Sequence, residues 1–189
     1  MRETASGFLL PIIITTLLAA LLSVEWQQTL RYQNDLFSEA QLWRLLSGHL
    51  LHLGWNHLLM NLLGLILIVV IFIERPLARW WLDSLVCALG VSAGLYLFTP
   101  ETYWYVGLSG LLHGLLAAAI VDNLQQQPRR YSLLLAALAG KLIWEQTVGP
   151  VPLSDSSIQG AIIVDAHLYG AISGLVYRLP LKIYHLLHD

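Results

Sequence analysis

Gly107-Leu108-Ser109-Gly110-Leu111-Leu112-His113-Gly114, running on through Leu115-Leu116-Ala117-Ala118-Ala119-Ile120-Val121, joins a polar, glycine-rich start to an uninterrupted apolar run. A transmembrane helix takes about 20 apolar residues, with about 17 as a lower limit, because the hydrocarbon core is about 30 Å thick. Six runs approach or reach that length, at approximately residues 8–24, 56–73, 81–98, 106–121, 131–148 and 161–179. Lipid cannot satisfy backbone N–H and C=O groups, so only helices and closed barrels cross it. Strand-like alternation of period two is absent. The chain therefore reads as an all-α membrane protein, a bundle of six transmembrane helices forming one domain over residues 1–189.

Composition agrees. Of 189 residues, 57% are hydrophobic and 12% charged, and the mean hydropathy is +0.64, where a soluble domain carries about a quarter charged residues. That argues against a water-soluble globule. The net charge is −2 and the ten Lys and Arg are scattered, which leaves no basic patch for a row of phosphates and argues against nucleic acid as a partner. Cys87 is the sole cysteine, so an internal disulfide framework or a thiolate metal cage is excluded. The first run lacks a strongly basic start and a small-residue cleavage site, and it reads as a retained span, not a signal peptide.

Lys and Arg near span ends set orientation. Arg2, Arg75, Arg79, Arg129, Arg130, Arg178 and Lys182 fall on one side and only Arg31 and Arg44 on the other, which places both termini in the cytoplasm. Trp26, Trp43, Trp55, Trp80, Trp81 and Trp104 fall near span ends, where amphipathic rings suit the headgroup level. One connection is long, residues 25–55 on the outer side, and still apolar; it is expected to lie partly in the interface as short amphipathic helices. No second domain or internal repeat is visible.

Polar groups inside a membrane are expensive and each is a functional hypothesis. His57 and Asn61, four apart, share one helix face. Helices starting at 56, 106 and 161 all enter from the outer side, so His57 with Asn61, Ser109 and His167 share a layer roughly 5 to 10 Å deep at about 1.5 Å per residue. Gly107, Gly110, Gly114, Gly170 and Gly174 permit close helix approach, which can bring Ser109 to His167. A hydroxyl in reach of an imidazole is the minimum for an activated nucleophile. His57, Asn61 and the Ser109 backbone N–H could stabilise an oxyanion, an effect of about 3 to 4 kcal/mol per donor. Asp165 lies about 200° round the helix from His167, which predicts a Ser-His dyad and no triad. A lone membrane serine is ordinarily a helix–helix hydrogen bond; the constellation makes Ser109 a catalytic candidate. Lys141 and Glu145 are spaced for mutual pairing, or alternatively to read a substrate tail. His49, His52 and His57 come with no His-Glu-x-x-His pattern and no suitably spaced carboxylate, so no metal and no cofactor are expected.

These residues resemble the rhomboid intramembrane serine proteases. The family's pattern of Trp-Arg, then Ser or Thr three on, His, His and Asn is met by Trp43, Arg44, Ser47, His52, His57 and Asn61. Its Gly-x-Ser-Gly is met by Gly107 to Gly110, and its Ala-His-x-x-Gly-x-x-x-Gly by Ala166, His167, Gly170 and Gly174. The resemblance implies a rhomboid-like six-helix bundle with Ser109 as nucleophile, His167 as general base, and His57 and Asn61 as oxyanion partners. Rhomboids usually carry an aromatic residue four after the serine, packed on the imidazole; here it is His113. That version, in a compact chain, is similar to the rhombosortase branch, which removes Gly-Gly-containing carboxy-terminal anchors from exported bacterial proteins. His113 is expected to stack beside His167, to satisfy a neighbouring carbonyl or to assist the dyad, while Arg44 and His52 are expected to brace the long loop, Arg44 through hydrogen bonds or a carboxylate such as Glu39. The implied setting is the bacterial inner membrane, with the site opening to the periplasm and a membrane-anchored protein as substrate. The alternatives are a general rhomboid protease of single-span proteins, a non-catalytic rhomboid-like helix binder, or a small transporter, whose polar residues should instead line a path at the midplane.

Overall fold

A computed structural model of the chain describes residues 2–151 and 161–188. Side chains are described over 5–151 and 161–180, so those of Arg2 and Lys182 lie outside the described residues. The architecture is helical: α1 (Arg2–Ala20), α2 (Val24–Leu30), α3 (Arg44–Ser47) followed by a 3₁₀ turn at Gly48–Leu50, α4 (Trp55–Ile71), α5 (Leu77–Phe98), α6 (Ser109–Asn123), α7 (Pro128–Thr147) and α8 (Val164–His188). Two-residue strands β1 (Tyr32–Gln33) and β2 (Trp104–Tyr105) pair antiparallel, Tyr32 opposite Tyr105.

The six predicted runs each fall on one of the long helices. Among the described residues, Leu77–Phe98 is long and apolar enough to cross a membrane by itself, and Arg44–Leu50 with Trp55–Ile71 qualifies as a pair bent by 96°. The remaining helices are shorter or carry charges, of which Lys141 and Glu145 on α7 pair with each other and Arg178 on α8 pairs with Asp83. On α4, Leu59, Leu63 and Leu67 are 53%, 67% and 60% exposed, while Leu58, Asn61, Leu62 and Leu65 on the opposite side are buried. An outward apolar stripe of this kind suits lipid, not water.

The centre is α6. It is apolar all round, which marks a helix surrounded by others, and Leu115, Ala117, Ala118, Ala119 and Ile120 are fully buried. Its closest neighbour is α8, met along glycines: a Cβ on Gly170 would fall 1.9 Å from the Gly110 carbonyl oxygen, and one on Gly174 2.3 Å from that of Gly114. On the third side of this contact, the Tyr169 ring fills the notch at Gly94 of α5.

Charged residues cluster at the far end of α6, with Arg75, Asp83 and Arg178 buried and Asp122 partly exposed. Arg75 pairs with Asp83 and, at 2.9 Å, with Asp122; Arg178 reaches Asp83 at 2.8 Å and Asp122 at 3.4 Å. Arg75 and Arg178 are 6% and 2% exposed. Two of the cations counted at span ends thus tie α5, α6 and α8 together in place of facing headgroups.

The long loop is built from α2, β1, α3 and the 3₁₀ turn. Arg44 braces it as expected, but through neutral acceptors and not Glu39: its guanidinium donates to the carbonyls of Gln28 (2.9 Å) and Arg31 (2.8 Å) and to the amide oxygens of Gln33 and Gln41. Ser47 Oγ donates to Leu30 O at 2.5 Å, and His49 Nε2 contacts Ala88 O at 3.0 Å. The loop is thereby fixed to α5.

Candidate active site

The segment entering α6 is held from outside. Gly107 N–H donates to Gly48 O at 3.1 Å, and the buried Tyr105 hydroxyl donates to Gly107 O at 2.6 Å. Burial pushes the Tyr105 phenol up to about 12, so it remains a donor. Gly107 has φ +134°, a backbone that side-chain-bearing residues rarely adopt, and a Cβ there would meet the His57 ring at 2.8 Å. Both reasons require glycine. Ser109 follows as the first residue of α6, where N–H groups have no partner within the helix.

Ser109 Oγ lies 2.9 Å from His167 Nε2, across the glycine contact between α6 and α8. His167 Nδ1 lies 2.9 Å from Glu145 Oε2. A carboxylate can only accept, so Nδ1 carries the ring proton and Nε2 presents its lone pair to the Ser109 hydroxyl. Lys141 Nζ donates to the other Glu145 oxygen at 2.6 Å. The expected Lys141–Glu145 pair is therefore present, and a contact that the sequence did not reveal accompanies it: Glu145, in place of Asp165, lies on the far side of the imidazole. The i, i+4 spacing signalled the pair; nothing in it signalled the imidazole, which comes from another helix. The only hint was the cost of a carboxylate inside an apolar span.

His113 makes two of the contacts foreseen for it. Its ring stacks on His167 with centroids 4.3 Å apart and planes at 14°, and its Nδ1–H donates to Ser109 O at 2.7 Å. The imidazole of His167 is thus held by edge, face and tip.

His57 and Asn61 stand on the opposite wall, both buried. Leu53 N–H donates to His57 Nδ1 at 3.3 Å, which leaves the proton of the neutral ring on Nε2, the atom beside Gly107. Asn61 Nδ2 is a buried donor with no hydrogen-bond partner. An unsatisfied buried amide costs about 1–3 kcal/mol unless a ligand or water completes it. His52, expected to brace the loop by hydrogen bonds, packs its ring edge-on against His57 instead, centroids 5.1 Å apart, and neither of its buried nitrogens has a hydrogen-bond partner. Burial, with the His57 ring adding to it, holds His52 down at about 3.

These groups face one cleft of about 340 Å³, lined by His57, Asn61, Ser109, His113, Glu145 and His167 with Met60, Leu67 and Leu116 among its apolar walls. Polar donors, a hydroxyl and a base converge on a space the size of a short peptide segment. The ligand atoms of His113, Glu145 and His167 lie within 4.8 Å of one another, a donor set of the type a divalent transition ion accepts, although Nδ1 of each ring is already hydrogen-bonded. Of the residues singled out from sequence, Ser109, His167, His57, Asn61 and His113 line the cleft; Gly107, Gly110 and Gly170 shape the backbone beside it; Arg44 and His52 support the loop side.

The chain is thus a helical bundle with an outward apolar surface and a serine–imidazole pair at its heart. The description of the rhomboid domain matches residues 39–183, and the chain belongs to the rhomboid family. It is an integral membrane protein of a family of intramembrane proteases acting on membrane protein substrates. A protein of Bacillus subtilis (strain 168), named "Putative rhomboid protease YdcA", is 26% identical over 161 residues, covering 81% of this chain and 74% of its own. "Uncharacterized protein ML1171" of Mycobacterium leprae (strain TN) is 29% identical over 182 residues, covering 87% of this chain and 68% of its own.

Proposed function

We propose that the chain is a serine endopeptidase that cuts protein segments in the membrane with Ser109 as nucleophile and His167 as general base. The observation that carries this reading is the 2.9 Å contact between Ser109 Oγ and His167 Nε2, facing a cleft whose far wall holds an unpartnered Asn61 amide. As Oγ bonds to the scissile carbonyl carbon, its proton passes to Nε2. The carbonyl oxygen becomes an oxyanion that Asn61 Nδ2, His57 Nε2 and the Ser109 backbone N–H receive. The C–N bond then breaks, Nε2 returns the proton to the leaving amine, and water repeats the sequence on the acyl-enzyme. A scissile segment has to unwind to enter the cleft, and glycine, which weakens a helix by about 1 kcal/mol, favours that.

The six long helices are the six spans, both termini are cytoplasmic, and the cleft opens to the periplasm of a bacterial inner membrane; the excess of Arg and Lys on one side supports this. The His113 version of the nucleophile motif supports the rhombosortase branch and a Gly-Gly-containing carboxy-terminal anchor as substrate. The test follows an exported protein with such an anchor in cells carrying wild type or Ser109→Ala, both folded and equally abundant. Tail removal that disappears with Ser109→Ala is expected. An uncut tail in wild-type cells redirects the substrate to other single-span proteins, and cleavage that persists in Ser109→Ala overturns the catalytic assignment.

A further inference from the structure

We infer that Glu145, its carboxylate turned by Lys141, is the positioning residue of His167: it fixes the ring's tautomer and orientation, so that the site works as a triad built across three helices. This rests on the Ser109–His167 reading above.

Glu145 is 3% exposed and its two oxygens have separate partners, Lys141 Nζ on Oε1 and His167 Nδ1 on Oε2. A simple helix-surface pair would need only the first. The second bond determines which nitrogen of His167 is bare. With the proton held at Nδ1 by the carboxylate, Nε2 is available to Ser109; with the proton at Nε2, the imidazole could only donate to Oγ and no base would exist. The pair is also asymmetric in its field. The Glu145 side chain is 2% exposed and that of Lys141 37%, so solvent screens the ammonium more than the carboxylate. As the Ser109 proton arrives on Nε2, the positive ring forms directly beside the less screened negative charge. Glu145 keeps its charge throughout; no proton moves along the Nδ1 bond.

Lys141 contributes direction. Because it donates, it demands an acceptor at Oε1. For carboxylate this is harmless, as both oxygens accept. In Glu145→Gln, however, Lys141 takes the amide oxygen and turns the NH₂ toward His167 Nδ1, which must then accept; the proton moves to Nε2 and the base is lost. A similar wrong-tautomer substitution in a soluble serine protease lowers kcat by about 10⁴.

The experiment measures labelling of Ser109 by a fluorophosphonate, resolved into a maximal rate and a half-saturating concentration, on the full chain in bilayers, with thermal unfolding followed for each variant. Glu145→Gln is expected to lower the maximal rate about 10³-fold and to leave the half-saturating concentration within about twofold. Lys141→Met in the Glu145→Gln background frees the amide to rotate its oxygen to Nδ1–H and is expected to restore the rate at least about tenfold; a purely structural pair predicts no such rescue. The Lys141 side chain is 37% exposed, so neither variant leaves a fully buried unpaired charge, and thermal unfolding establishes that each is folded before rates are compared. A Glu145→Gln rate within about threefold of wild type, or a double variant no faster than wild-type-folded Glu145→Gln, overturns the inference. Labelling of Ser109→Ala at the wild-type rate would instead overturn the underlying serine reading, so the two failures are distinct.

Discussion

Substituting Gly170 by Ala probes the link between helix packing and chemistry. The added Cβ would sit 1.9 Å from the Gly110 carbonyl oxygen and 2.8 Å from its carbon. Ordinary contact is about 3.4 Å or more, so α6 and α8 have to separate locally by about 1.5 Å. Ser109 directly precedes Gly110, and His167 lies one turn before Gly170. The separation therefore passes almost undiminished to the 2.9 Å bond between Oγ and Nε2, stretching it to about 4.4 Å, beyond hydrogen-bond reach. A misplacement of about 1 Å at a reacting centre can cost about 10²-fold, and overpacking costs about 1–3 kcal/mol. Fluorophosphonate labelling of the full chain in bilayers is expected to slow about 10²-fold, with a lower unfolding temperature. Gly174→Ala, which meets Gly114 O at 2.3 Å a turn further from the site, is expected to lose similar stability and less labelling. Gly140→Ala, with no atom within 4 Å, should label normally. Wild-type labelling by folded Gly170→Ala would refute the reasoning.

Asn61→Ala removes the unpartnered donor and is expected to lower kcat about 10²- to 10³-fold with little change in KM, measured on the cleaved tail anchor. His113→Phe keeps a ring on His167 while losing the bond to Ser109 O; since a ring pair contributes about 0.5–1.5 kcal/mol, labelling should stay within about tenfold of wild type, and His113→Ala should be slower than His113→Phe. Asp83→Asn leaves Arg75 and Arg178 without their shared buried carboxylate and is expected to cost about 3–5 kcal/mol in unfolding experiments. Because Asp122, another member of that cluster, lies thirteen residues or about 20 Å along α6 from Ser109, the folded fraction should label at the wild-type rate.

Much of the site was legible because its members sit at short, helical spacings. His57 and Asn61 are one turn apart, Ser109 and His113 likewise, and Gly110, Gly114, Gly170 and Gly174 repeat every four residues; each pattern places its residues on one face whatever the rest of the chain does. Helix ends were less legible. The run beginning near 106 starts as a helix only at Ser109, because Gly107, with φ +134°, breaks the helical path first.

By itself, then, the sequence determined that the chain is a bundle of apolar helices, that Ser109 and His167 are its candidate pair, and that glycines let their helices meet, since composition and periodicity act locally. Tertiary structure alone decided that Glu145 reaches across twenty-two residues to the imidazole, that Arg75 and Arg178 turn inward onto Asp83 and Asp122, and that Asn61 is left with an open donor facing the cleft. Which buried polar group meets which depends on how separate helices are rotated and set in depth against one another, and no spacing along one helix encodes that.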